Sequence, residues 1–271
     1  MGIFNFFKRK NIDVEDTNKE DLITFVEQDE ESLMEAFERA QTTFPYFWRE
    51  LSWEYRRIIP ALSIASVKAA FSQDVEGGEP IVEHMWINDI YFDGEAILGT
   101  LINEPNELTN IEVGDQVSIR VSDVEDWLLS DGETVCGGFS IQAIRKLMGA
   151  KERKEHDQAW GLSFNEDFSV SLMLFDDAEH DIHPMDQNME ESLSEFLVEN
   201  PAELANMDEM GNTMLIREAI AGNLVSVKTL LAKGADASVK NNFGKTAEDY
   251  AKAYGWDTLA ELLNNKSAIV H

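Results

Sequence analysis

The period of the apolar residues changes near residue 60. Before it, Leu33, Phe37, Ala40 and Phe44 recur at the three-to-four-residue spacing of one helical face. Ser32-x-x-Glu35 fits a capping box, in which the two side chains satisfy each other's amides at a helix start. A helix is therefore expected from Ser32 to Pro45, which has no amide proton to continue it. Residues 1–30 are polar outside two short apolar runs and read as a loosely held arm with one helical turn.

After residue 60 the period is two. Segments 64–71, 81–92 and 96–102 are rich in β-branched and aromatic residues and are separated by Gly77-Gly78 and Asp93-Gly94, the latter a strong hairpin signal. Val117, Ile119 and Val121 alternate, and segments 124–129 and 134–136 flank Asp131-Gly132. Ser140 is placed to cap a short helix over 141–148, and Leu162, Phe164, Phe168, Val170, Leu172 and Leu174 alternate around a turn at 165–167. Residues 31–175 thus predict an α+β domain with a mainly antiparallel sheet. Residues 176–188 hold no Lys or Arg and few apolar residues, which suits an acidic linker, and a second capping box, Ser192-x-x-Glu195, opens the next helix.

From there the chain repeats. Gly211, Thr213, Gly222 and Leu230 return after 33 residues as Gly244, Thr246, Gly255 and Leu263. Asp208-x-x-Gly211-Asn212-Thr213-x-Leu215, then Ala219, Ala221-Gly222-Asn223, then Val227-x-x-Leu230-Leu231-x-x-Gly234-Ala235-Asp236, resembles the ankyrin repeat. Met214 and Ile216 in the first copy, and Ala247 and Asp249 in the second, stand where the family pattern has Pro and His. The resemblance implies an all-α ankyrin-repeat domain over 189–267, two full repeats plus a half repeat. Each repeat buries its apolar face only against neighbours, so a stack this short should be capped or docked on the first domain.

Residues 31–148 resemble the bacterial YegJ-like domain. The likeness rests on Ala36–Phe44, Val67-Lys68-Ala69-Ala70-Phe71, Glu83-His84-Met85-Trp86, Gly99-Thr100-Leu101, Val113-Gly114-Asp115-x-Val117, Asp126-Trp127 and Gly137-Gly138-Phe139-Ser140. That family has no assigned reaction, so the resemblance implies an architecture and leaves the function open.

Charge narrows the partners. The 271 residues carry 52 Asp and Glu against 22 Lys and Arg, a formal charge of −30. Such a balance disfavours nucleic acid and anionic membrane surfaces, which need clustered Lys and Arg. The imbalance lies in two blocks: residues 69–144 hold 16 acidic residues and one basic residue, and residues 155–216 hold 16 acidic residues and no Lys or Arg. A single cysteine, Cys136, excludes an internal disulfide framework. The start MGIFNFFKRK is charged too early for a secretory signal, and no stretch of about 18 apolar residues exists. A cytoplasmic location is expected.

Catalytic constellations are sparse. Neighbours on a strand face opposite ways, so Glu83 and His84 cannot act together, and His84 would need a carboxylate from another strand, such as Asp126. The simpler reading is a buried, hydrogen-bonded histidine beside Trp86. His180-x-x-His183 could share one ion on a helix, but Pro184 and the lack of apolar periodicity argue against a helix there, so no metal site is expected. Cys136 has no cationic neighbour to activate it, and no cofactor is implied.

These observations lead to a non-enzymatic protein-binding module. By analogy with immunity proteins that contain ankyrin repeats, the expected role is an antagonist that neutralises a basic partner, a cognate toxin or effector domain, by occluding its active site. Acidic side chains beside aromatic anchors are the expected contacts. They are Glu83, Trp86, Asp123, Glu125, Asp126 and Trp127 on the first domain, and Asp208, Glu209, Asn242 and Phe243 on the repeats. The alternatives are an ankyrin adaptor for a housekeeping protein, or a small metal-dependent hydrolase using His84 or His180 and His183.

Overall fold

A computed structural model describes residues 19–174 and 182–267. The chain forms two compact units that are discontinuous in sequence. Unit 1 comprises Met1–Phe44, Ala61–Tyr91 and Ile97–Leu174, and unit 2 comprises Pro45–Pro60, Phe92–Ala96 and Phe175–His271.

The first helix, α1, runs Lys19–Glu54. It neither starts at Ser32 nor stops at Pro45, which lies inside it. A proline within a helix costs about 3 kcal/mol. Phe44, Phe47, Trp48, Leu51 and Trp53 are all buried around it, and each large apolar side chain taken out of water contributes roughly 1.5–3 kcal/mol. Burial on both sides of the break therefore outweighs it.

Unit 1 is built on a sheet of six strands: β1 Ile64–Gln73, β2 Ile81–Phe92, β3 Ala96–Leu101, β4 Gln116–Arg120, β5 Val124–Ser130 and β6 Val135–Gly137, in the order β4-β3-β2-β1-β5-β6. The register pairs Lys68 of β1 with Trp86 of β2 and with Asp126 of β5, and both pairings are antiparallel. Between Lys68 and Ala69 the β1–β5 register shifts, so Val124 pairs with Ala69 and Glu125 is the extra residue of a bulge. One face of the sheet packs Trp86 and Leu128 with Ile141 and Phe164. A second cluster joins Met85, Leu101 and Leu108.

Helix α2 covers Phe139–Leu147 and α3 covers Ala150–Trp160. The sequence pattern missed α3, because only His156 of its residues is buried and no apolar stripe marks it. The alternation after Leu162 forms no strand; its one ladder contact is an isolated parallel bridge between Cys136 and Ser171.

In unit 2, α4 covers Pro184–Glu199. Residues 182–188 of the expected linker therefore include its first turn, and Ser192 lies inside the helix instead of opening it. The cap is His183, whose side chain accepts the Met185 amide, with Pro184 at the first helical position, where a missing amide proton costs nothing. Then follow α5 Met214–Ile220, α6 Leu224–Ala232, α7 Ala247–Ala253 and α8 Asp257–Ser267. Thr213 and Thr246 cap α5 and α7 with their hydroxyls, 33 residues apart as the repeat demands. The turns ahead of them match: Asp208 N–H donates to Asn212 O at 3.1 Å, and Asn241 N–H to Lys245 O at 3.0 Å. The end of α1 packs against these helices within unit 2. Trp53 Nε1 donates to Asn223 at 2.9 Å, Arg56 pairs with Glu218 at 2.8 Å, and Arg49 lies over the Trp256 ring at 4.9 Å.

Candidate functional site

The polar centre of unit 1 arises from the bulge. The register places Lys68, His84 and Asp126 on one sheet face, and the extra residue brings Glu125 to His84. His84 Nδ1 lies 2.8 and 2.7 Å from the two Glu125 oxygens. The His84 side chain is 44% exposed and that of Glu125 only 11%. This corrects two expectations: His84 is not buried, and its carboxylate partner is Glu125 instead of Asp126. A carboxylate held against Nδ1 of a partly exposed imidazole is an arrangement suited to proton transfer.

Asp126 is occupied elsewhere. It is fully buried, and its oxygens accept the amides of Phe139 and Ser140 and the Ser140 hydroxyl at 2.6–2.9 Å. The first turn of α2 is thus capped from β5, whereas Ser140, the expected cap, donates. Burial pushes the Asp126 carboxyl up, against the pull of Ser140, the Lys68 ammonium and the two amides. Burial also pulls the Lys68 ammonium down, opposed by the charges of Asp126 and Glu125.

The other expected contacts on unit 1 divide by exposure. Trp86 and Trp127 are buried, Trp127 completely. Trp127 Nε1 donates to Thr43 of α1 at 3.1 Å. Trp86, Asp126 and Trp127 therefore hold the core together and cannot touch a partner directly, because their alternation in β2 and β5 points them into packed layers. Glu125, at 8% exposed, is nearly as enclosed. Glu83 anchors a loop: its oxygens accept the backbone amides of Asn106, Glu107 and Leu108 at 2.6–3.0 Å. Partial burial raises its pKa, but those amides together hold it below the ordinary carboxylate value. Asp123 remains available at the surface, bonded to Arg120 at 3.0 Å.

On unit 2, Asp208 stabilises its own turn by accepting the amides of Met210 and Asn212. Glu209, Asn242 and Phe243 are exposed. Asn242 N–H donates to Met210 O, and its side-chain amide to Glu209 O, both at 3.0 Å, so the two turn tips are joined into one edge. Phe243 is 44% exposed on that edge.

His180 lies outside the described residues. His183 is 2% exposed and is engaged through both ring nitrogens, with Met185 and with Glu50. Among the described residues no group of three or more His, Cys, Asp or Glu could hold a metal ion, and no helix is long and apolar enough to cross a membrane. Sequence reasoning missed the His84–Glu125 pair, since a bulge leaves no mark in the period-two pattern.

Residues 30–164 match the family described as an uncharacterized protein conserved in bacteria, DUF2314. The chain is 47% identical over 246 residues to the "Putative ankyrin repeat protein NMB1133/NMB1171" of Neisseria meningitidis serogroup B, an alignment covering 89% of this chain and 96% of that protein. It is also 31% identical over 73 residues to the "Uncharacterized protein YegJ" of Escherichia coli K12, covering 27% of this chain and 48% of that protein.

Proposed function

Because the chain belongs to the family of the Neisseria ankyrin repeat protein and carries the DUF2314 domain, we propose that it is a non-enzymatic protein-binding module of the immunity type, which sits on a basic bacterial toxin domain and occludes its active site. The observation that carries this reading is the concentration of acidic residues in two blocks, together with an exposed edge that pairs Glu209 and Asn242 with the aromatic Phe243. Clustered carboxylates raise the local concentration of a cationic partner and speed its association by 10–10³-fold. A half-exposed aromatic ring is the kind of anchor that then holds it.

The test is capture from a lysate of the encoding bacterium, comparing the full chain with a Glu209→Lys/Phe243→Ala chain, followed by kinetics on the captured protein. The expected partner is strongly cationic, is lost with the variant, associates about tenfold or more slowly at high salt, and loses its own activity when the chain is added. A neutral partner with salt-independent association would instead identify a general adaptor.

The His84–Glu125 pair favours a second reading, an enzyme using His84 as general base. If His84→Ala abolished function in the cell while capture stayed intact, that reading would replace the first.

A further inference from the structure

Within unit 2, residues 92–96 lie against the repeat helices as a ligand lies in a site. The turn is tight and self-supporting: Asp93 Oδ1 accepts the amides of Glu95 and Ala96, both at 2.7 Å. Three outward hydrogen bonds each set an acceptor of the turn against a donor. The Asp93 carbonyl accepts Asn212 Nδ2 at 3.2 Å, the Gly94 carbonyl accepts the Tyr254 hydroxyl, and Glu95 Oε1 accepts the Tyr250 hydroxyl at 3.1 Å. Phe92 adds a ring contact with Tyr254, centroids 5.6 Å apart.

The central position admits only glycine. Gly94 has φ of +101°, and a Cβ there would lie 2.7 Å from Ile220 Cδ1 and 2.9 Å from Tyr250 Cε1. The donors are themselves held in place. Asn241 Nδ2 donates to Asn212 Oδ1 and to the Tyr250 hydroxyl, both at 2.8 Å, and the Tyr250 and Tyr254 rings stack at 6.2 Å. Burial first, then the charge of Glu95, pushes both tyrosines up, so the hydroxyls stay protonated and donating.

We propose that Asn212, Ile220, Tyr250 and Tyr254 form a turn-binding site, whose resident occupant is the chain's own Asp93-Gly94-Glu95 and which accepts a glycine-centred turn with a following carboxylate from another polypeptide once that occupant is withdrawn. This site is distinct from the exposed edge at Glu209 and Phe243 and does not depend on a basic partner. The Tyr250 hydroxyl accepts from Asn241 and so turns its own proton toward Glu95, which selects carbonyl and carboxylate oxygens there over a lysine in the place of Glu95. The resident turn competes at the high effective concentration of a tethered ligand, so the intact chain is closed to added turns.

The probe is a fluorescent peptide of residues 88–100, closed by a terminal disulfide, titrated into full-length chains and read by anisotropy. Gly94→Val displaces the resident turn, and Asp93→Ala/Glu95→Ala loosens it without adding bulk, which covers the case in which the first variant fails to fold by circular dichroism. The expected result is binding to a folded variant at least about tenfold tighter than to the wild type, and loss of that binding when the peptide carries Glu95→Lys. Peptide that binds no folded variant, binds wild type and variant alike, or tolerates the lysine overturns the proposal.

Discussion

His183 Nε2 and Glu50 Oε2 lie 2.9 Å apart in the interior of unit 2, joining residues 133 positions apart in sequence. His183 Nδ1 accepts the Met185 amide at 3.1 Å, so it carries no proton, and Nε2 must carry the one donated to Glu50. The ring also stacks on Trp53, centroids 5.7 Å apart. One imidazole thus caps α4 and satisfies a buried carboxylate. His183→Ala removes both bonds and should destabilise the chain by about 3 kcal/mol in urea unfolding. His183→Asn, which can still accept the Met185 amide, should recover the smaller, capping part of that loss.

Glu83 predicts an acid limb in stability. Its folded pKa lies below the ordinary value of 4.5 because three amides hold the charged form. Its contribution is therefore complete above about pH 4.5 and is lost as the pH falls through the lower folded value. Urea midpoints measured between roughly pH 5 and 3 should drop more steeply for the wild type than for Glu83→Gln. Amide exchange at Asn106, Glu107 and Leu108 should speed up in the variant.

Asp126 and Asp186 predict the opposite sign. Asp186 repeats the device at α6: its carboxylate accepts the amides of Val225 and Ser226 and the Ser226 hydroxyl at 2.6–2.9 Å. Burial raises both carboxyls, so the stabilisation each provides is complete at low pH and diminishes as the pH rises through the folded value. Asp186→Asn and Asp126→Asn should each remove that dependence. Each should also lower stability by about 2 kcal/mol through one lost acceptor, measurable by urea unfolding.

Gly222 and Gly234 separate crowding from backbone strain. Both have positive φ, but a Cβ at Gly222 would lie 2.3 Å from the Trp256 ring, whereas nothing lies within 4 Å at Gly234. Gly234→Ala should cost about 1 kcal/mol, the left-handed penalty alone. Gly222→Ala should cost several times more, since Trp256 must move. Thermal melts of the two variants check the ratio.

Much of the fold was legible because its signals are local. Asp93-Gly94 marked the β2–β3 turn, and the 33-residue period singled out Thr213 and Thr246, which the structure shows as the caps of α5 and α7. Where the signals failed, long-range contacts had replaced them. Ser32 and Ser192 looked like helix starts but lie inside α1 and α4, the latter capped by His183. Ser140 looked like a cap but donates to Asp126, 14 residues earlier. Of the expected partner contacts, Glu209, Asn242 and Phe243 proved exposed, whereas Trp86 and Trp127 are core, because an aromatic beside acids reads the same in sequence whether it faces in or out.

By itself the sequence determined the order of sheet and repeat regions, the acidic balance, and the residue types at turns, since each depends on neighbours within a few positions or on simple sums. Tertiary structure alone decided that Glu125 meets His84, that Pro45 sits within a continuous helix, and that Gly94 rests on Ile220 and Tyr250. Those outcomes depend on which faces are buried against distant segments, and that burial free energy outweighs the local preferences a one-dimensional pattern can express.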